Sequence, residues 1–179
     1  MQEKLAKIKL LLLDVDGVLT DGRIIYDNQG NELKAFDVKD GHGLKMLQRA
    51  GIEVGIITGR SSDVVKLRAK ELGIEILYQG ALRKLEPYLE ILSEQGLTDE
   101  QVAYVGDDII DLPILRRVGF SATVADAVPD ISPLVDYVAS RPGGRGAVRE
   151  ICDLLLRACG QWDELTKRYF ESAADTVRD

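Results

Sequence analysis

Residues 10–22 read LLLLDVDGVLTDG, and the fold is decided in that stretch. Four leucines, with Ile8 just before them, are too few for a helix of their own. A continuous apolar run of this length, closed by a turn signal, suits a strand buried on both faces. The run stops at Asp14, and Asp16 follows two residues later. Two carboxylates at a strand end repel each other, and desolvation adds to the cost. A hydrogen-bond network relieves such a pair, and so does a hard cation such as Mg²⁺, which prefers oxygen ligands and keeps several waters. Gly17 lets the backbone turn sharply and approach a bound group. A plain capped turn after a core strand reads the same way, so the rest of the chain has to decide.

Working outward, two strand-like runs, Arg23 to Tyr26 and Glu32 to Phe36, flank Asp27-Asn28-Gln29-Gly30-Asn31. A five-residue link rich in Asn, Asp and Gly is a hairpin signal. The hairpin is an insertion between the first strand and the first helix. A lone two-stranded ribbon is marginal, so it packs on something, such as another subunit.

From Asp40 the pattern becomes regular. A helix from Gly41 to Ala50 precedes a strand from Ile52 to Ile57, and Ser61 or Ser62 caps a helix through Leu72. A third strand, Ile74 to Leu77, leads to a helix over Arg83–Gln95 with Pro87 in its first turn. Strand four, Val102 to Val105, is followed by a helix to Arg117 and a fifth strand from Phe120 to Val124. Residues 129–139 give a short helix and a last strand, Tyr137 to Ala139. The loop Arg141-Pro-Gly-Gly-Arg145-Gly then opens a helix carrying both cysteines.

Strands alternating with helices at short spacing predict an α/β fold, a doubly wound parallel sheet with right-handed crossovers. Ligands of such sheets sit beyond the carboxyl ends of the strands. Asp14 and Asp16 follow strand one, Thr58 follows strand two, Lys84 lies after strand three, and Asp107 and Asp108 follow strand four. The unusual polar residues therefore gather at one edge. Carboxylate oxygens with water there can hold Mg²⁺. A carboxylate left facing the open position can attack phosphorus and form an aspartyl phosphate. Thr58, with the backbone N–H groups of Gly59 and Arg60 at a helix start, can bind phosphoryl oxygens, and Lys84 can stabilise the transition state. Positioning and charge of this kind are what phosphoryl transfer needs.

Length and composition narrow the classes. At 179 residues the chain suits a single domain, with its core at about 8–160 and a tail at 161–179. A net charge of −7 argues against nucleic acid or an anionic membrane as the main partner. No apolar run approaches a membrane span, and MQEKLAKIK lacks a signal-peptide core, which places the chain in the cytoplasm. Cys152 and Cys159 lie seven apart on a predicted helix, roughly 10 Å of rise, beyond disulfide reach. His42 is the only histidine, so a His-based triad or a multi-His metal site is excluded. Trp162, Leu165, Tyr169 and Phe170 recur at helical spacing, so the tail is expected to pack on its own domain or a neighbour and to fray at its last few residues.

Four segments in order, LLLDVDG, IITG, Lys84 and GDDIIDLP, resemble the motifs of the haloacid dehalogenase (HAD) superfamily of phosphotransferases. The resemblance implies Asp14 as nucleophile and Asp16 as the acid to the leaving oxygen, then the base for water. It implies Mg²⁺ held by Asp14, the Asp16 backbone carbonyl and Asp107, with Thr58 and Lys84 on the phosphate. Asp108 and Asp111 either support the ligands from behind or merely open a helix, where acids suit the dipole. LDVDGVLTDG, FDVKDGHGLK, IITGR, YQG before Lys84, VAYVGDDIIDLP, ADA and GGRGAVREICDLLL are further similar to the 3-deoxy-D-manno-octulosonate (KDO) 8-phosphate phosphatases.

That family implies a Rossmann-like HAD fold without a cap domain, and a homotetramer in which neighbours cover each active site. The hairpin at 23–36 is then the assembly element, and Arg145 part of a neighbour's lid. The family's substrate pocket maps onto Asp37, Val38, Lys39, Asp40 and Gly41, with Lys45, Gly59, Arg60, Arg68 and Lys84. Arg60 and Arg68, read on one helix, stand about 80° apart around its axis. The implied substrate is a small sugar acid phosphate of the lipopolysaccharide inner core. A nine-carbon sialic-type sugar acid 9-phosphate is the rival substrate. A receiver-like signalling domain is the rival class, although strand three ends in Tyr78-Gln79-Gly80 with no aspartate to accept phosphate.

Overall fold

The computed structural model describes residues 1–171. In chain order the elements are α1 (Gln2–Leu5), β1 (Leu10–Leu13), β2 (Ile25–Tyr26), β3 (Glu32–Leu33), α2 (Val38–Arg49), β4 (Glu53–Ile57), α3 (Asp63–Leu72), β5 (Ile76–Tyr78), α4 (Leu85–Gln95), β6 (Val102–Val105), α5 (Leu112–Leu115), β7 (Phe120–Thr123), β8 (Tyr137–Val138), α6 (Ala147–Ala158) and α7 (Trp162–Phe170). Three 3₁₀ turns join them, at Asp99–Gln101, Ile109–Asp111 and Ser132–Leu134.

All four leucines of β1 are wholly buried. Their side chains alternate between two cores, Leu11 and Leu13 on one face of the sheet, Leu10 and Leu12 on the other. The first core is covered by α2, α3 and α6, the second by α4 and α5. β1 is thus the central strand of a six-stranded sheet in the order β5-β4-β1-β6-β7-β8, every pair parallel. Counted by appearance in that sheet, the order is 3-2-1-4-5-6, the dinucleotide-fold winding, whereas receiver-type sheets run 2-1-3-4-5. β2 and β3 stand apart as an antiparallel hairpin, Ile25 opposite Leu33 and Tyr26 opposite Glu32. No helix among the described residues is long and apolar enough to cross a membrane.

Several boundaries differ from the sequence reading. α2 begins at Val38 rather than Gly41, because Asp37 caps it, its carboxylate accepting the Lys39 N–H at 2.6 Å. α3 starts only at Asp63, after the Ser62 cap, whose hydroxyl accepts from the Val65 N–H. Arg60 therefore precedes the helix that carries Arg68, and the helical angle between them does not apply. The helix expected up to Arg117 reduces to a 3₁₀ turn and the single turn of α5. In the tail, Trp162 and Leu165 pack on the core and Arg157 stacks over the Trp162 ring at 4.0 Å, while Tyr169 and Phe170 are exposed. The fraying expected at the last residues falls outside the described residues. Cys152 and Cys159 are free thiols, the first buried and the second half-buried.

Candidate active site

Parallel register sets the site. Leu13 pairs with Ile56 on β4 and with Val105 on β6. Asp14 therefore leaves the sheet between the ends of those strands, its N–H donating to the Val105 carbonyl at 3.0 Å. Its carboxylate accepts the Val15 N–H at 2.7 Å and meets the Lys84 ammonium at 2.8 Å. Lys84, at the N-terminus of α4, has a buried side chain and also reaches Asp111 at 2.7 Å. Asp111 is wholly buried and fully engaged. One oxygen takes Lys84 and the Tyr104 hydroxyl, which donates at 2.6 Å. The other accepts the N–H groups of Asp107 and Asp108 at 3.1 and 3.3 Å. Asp111 thus ties the lysine to the loop after β6, and Asp108 caps the 3₁₀ turn there.

Carboxylate oxygens of Asp14, Asp107 and Asp111 lie within 4.8 Å of one another. Among the described residues, only Lys84 opposes them directly. Burial pushes the Asp14 carboxyl up to about 6 against the pull of Lys84, with Asp111 pushing the same way. Burial, then Asp14 and Asp111, push Asp107 up to about 7. Three acids around one ammonium leave an excess of negative charge in a partly dry site, and a divalent cation with oxygen ligands relieves it. The backbone fits this too. Gly17 has φ +91°, and a Cβ there would lie 2.0 Å from the Asp107 carboxylate.

Asp16 points elsewhere. One oxygen is held by Lys34 of the hairpin strand, and the other lies 3.6 Å from Arg60 Nε. Glu32, from β3, binds Arg60 at 2.8 Å and Ser62, with Lys34 at 3.5 Å. The Tyr26 hydroxyl accepts from Arg60 at 3.4 Å. Thr58 is buried just past β4, its carbonyl accepting the Ala81 N–H. Gly59 and Arg60 sit in the loop before the Ser62 cap, not in the first turn of α3.

Among the described residues, the remaining predicted ones make no hydrogen bond or ion pair to this cluster. Asp37 is the α2 cap, and Val38 and Lys39 are exposed beside it. Asp40 is buried and accepts the N–H groups of Gly146 and Arg149 at 3.3 and 2.7 Å, so it caps α6. Arg68 stacks over Phe36 at 5.6 Å and pairs with Glu71 at 3.2 Å, its tip pressed on Gly41. The space enclosed by Phe36, Asp40, Gly41 and Arg68 is about 10 Å³, too small for a sugar. Lys45 reaches Gly73, the C-cap of α3, at the far edge of the sheet. Arg145 lies 3.7 Å from Asp21 of its own chain.

The family model for haloacid dehalogenase-like hydrolases matches residues 38–119. The chain is 53% identical over 161 residues to the 3-deoxy-D-manno-octulosonate 8-phosphate phosphatase of Escherichia coli K12, covering 90% of this chain and 86% of that one. It belongs to the KDO 8-phosphate phosphatase family. A crystal structure of the family's Yersinia pestis member superposes with a TM-score of 0.89 at 50% identity, covering 90% of this chain and 88% of that one. The Moraxella catarrhalis member, solved with magnesium ion, phosphate ion and KDO, superposes at 0.92 and 43% identity, covering 94% and 97%.

Sequence reasoning passed over four residues that the structure places at this edge. Glu32 and Lys34 were legible in principle, since alternation in a strand sends both to one face and Leu33 to the other. Tyr26 lies on the partner strand. Tyr104 hides inside the apolar run VAYV, where only its hydroxyl signals a partner, as a buried tyrosine needs one.

Proposed function

We propose that the protein is a Mg²⁺-dependent phosphatase that hydrolyses 3-deoxy-D-manno-octulosonate 8-phosphate to the free sugar acid and phosphate. Its place would be the cytoplasm, in assembly of the lipopolysaccharide inner core. The observation that carries this is the Asp14 carboxylate at the mouth of β1, 2.8 Å from Lys84 and close to Asp107.

In this reading Asp14 attacks phosphorus and the ester bond breaks. Asp16 gives its proton to the departing sugar oxygen. Asp16 then takes a proton from water, which attacks the aspartyl phosphate and restores Asp14 with release of phosphate. Lys84 keeps Asp14 ionised and balances charge on the phosphoryl oxygens, while the Thr58 hydroxyl and the Gly59 and Arg60 N–H groups orient them. Asp14, the Asp16 backbone carbonyl and Asp107 would hold Mg²⁺, which would supply further charge neutralisation.

Residues 1–179 act as one domain, and the working form is a homotetramer. The hairpin supports this: Ile24, Ile25, Tyr26 and Leu33 are all exposed on a ribbon too small to stand alone. Val38, Lys39, Lys45 and Arg68, which make no hydrogen bond or ion pair to the Asp14 cluster among the described residues, would then serve the sugar acid in a neighbour's site, with Arg145 at its rim. Asp37, Asp40 and Gly41 shape that wall.

The test is Mg²⁺-dependent phosphate release from the eight-carbon 8-phosphate, the nine-carbon 9-phosphate and simple sugar phosphates, with Asp14→Asn as control. Preference for the eight-carbon ester, lost in the variant, supports the proposal. Preference for the nine-carbon ester overturns the substrate, and release from no ester overturns the activity.

A further inference from the structure

The hairpin has a second task, visible in where it puts Lys34. The Lys34 side chain is 1% exposed, yet it comes from an inserted ribbon rather than from the sheet. A buried ammonium costs several kcal/mol unless acids meet it, and the two that do are Asp16 and Glu32. Glu32 is itself fixed from the opposite side, by Ser62 at the cap of α3 and by Arg60. A chain of contacts therefore runs from the start of α3 through the hairpin to the second acid of the DxD loop. The other face of the hairpin, with Leu33, is exposed.

We infer that Lys34 is a positioning residue for the reaction, acting through Asp16. The inference rests on the phosphatase reading above. Asp16 is half-buried and, unlike Asp14, accepts no backbone N–H. Its carboxylate is oriented by the hairpin, through Lys34 Nζ on one oxygen, while Arg60 Nε faces the other with no hydrogen-bond partner of its own. Lys34 holds Asp16 turned toward the hairpin in the resting enzyme, and Glu32 keeps the lysine in place when Asp16 turns to the leaving oxygen. The insertion thus completes the catalytic edge within its own chain, whatever it also does between chains.

A residue acting through the acid that protonates the leaving group matters most when that group is poor. The experiment compares Lys34→Met with wild type on two esters, a sugar phosphate with an alkoxide leaving group and 4-nitrophenyl phosphate, whose phenolate leaves unprotonated. The expected result is a kcat loss of roughly 10- to 100-fold on the sugar ester with KM little changed, and a much smaller loss on the nitrophenyl ester. In an Asp16→Asn background, Lys34→Met should cost almost nothing more. Lys34→Arg, which keeps the charge, should recover part of the loss.

Equal losses on both esters, or full additivity with Asp16→Asn, overturn the inference, as does wild-type kcat in Lys34→Met. If Lys34→Met melts at a much lower temperature, Lys34→Gln carries the same comparison. Wild-type turnover of some other alkyl phosphate in place of the KDO ester would refute only the substrate reading, and the Lys34 comparison is then made on that ester.

Discussion

Gly17 and Asp107 share a space that only a glycine leaves open. A Cβ on Gly17 would sit 2.0 Å from one oxygen of the Asp107 carboxylate, and the residue's φ of +91° is one that other residues rarely adopt. The loop after β1 and the loop after β6 are thereby allowed to touch. Gly17→Ala should push Asp107 away from Asp14, and a displacement of about 1 Å at such a site costs about 100-fold in rate. Steady-state kinetics with a parallel Mg²⁺ titration checks this: both kcat/KM and metal affinity should fall while the melting curve stays cooperative.

Cation binding should depend on pH through the same carboxylates. Asp14 and Asp107 sit above the ordinary aspartate value, at about 6 and about 7 in the metal-free protein. Their raised values mean that folding favours the protonated forms. Their contribution to stability is full below the unfolded value of 3.8 and is lost as pH rises through about 6 to 7. A cation binds the ionised forms and must displace those protons. Mg²⁺ affinity should therefore climb between about pH 5 and pH 7 with proton release, and level off above. Calorimetric titration in buffers of different ionisation enthalpy reads both quantities, and an affinity flat across that range would contradict the assignment.

The buried triad of Lys84, Asp111 and Tyr104 gives a stability prediction separate from rate. Tyr104→Phe removes the phenol that donates to Asp111 at 2.6 Å and should cost about 1.5–3 kcal/mol, the usual range for a hydrogen bond to a charged group. Asp111→Ala is harsher. It leaves Lys84 with Asp14 alone and frees the N–H groups of Asp107 and Asp108, so a loss of about 3–5 kcal/mol is expected. Urea unfolding of the metal-free variants measures both, and the order Asp111→Ala below Tyr104→Phe below wild type is the result that matters.

What the sequence made legible follows from the range of the forces involved. The run Leu10–Leu13 could be read because burial on both faces leaves no polar position, and the edge of the sheet could be read because parallel strands all end on one side. Lys84 and the aspartates after β1 and β6 belong to that edge for the same reason. Residues whose direction depends on a cap were harder. Asp40 was read as a pocket residue, and its carboxylate also caps α6, 106 residues away, a partner no local pattern reveals. Arg60 was read onto a helix although either candidate cap, Ser61 or Ser62, leaves it outside, and the cap that forms is Ser62. Lys34 was missed because alternation puts it on one face with Glu32 without saying that this face turns inward, toward Asp16.

The hairpin's outer face gives the last prediction. Ile25 and Leu33 pair across the two strands on this face and are 43% and 52% exposed. Contiguous apolar surface on so small an element marks a protein contact, because the ribbon buries too little to fold by itself. If a second copy of the chain covers this face, Ile25→Asp with Leu33→Asp should dissociate the assembly, since each buried apolar side chain is worth roughly 1.5–3 kcal/mol and an unpaired charge there is costly. Sedimentation velocity should show a monomer in place of the proposed tetramer. The inward contacts of Glu32 and Lys34 lie on the other face, so a monomer that keeps turnover of 4-nitrophenyl phosphate but loses the sugar ester would separate the chemistry of one chain from the pocket made by two. A wild-type protein that already sediments as a monomer while turning over the sugar ester would rule out the shared pocket.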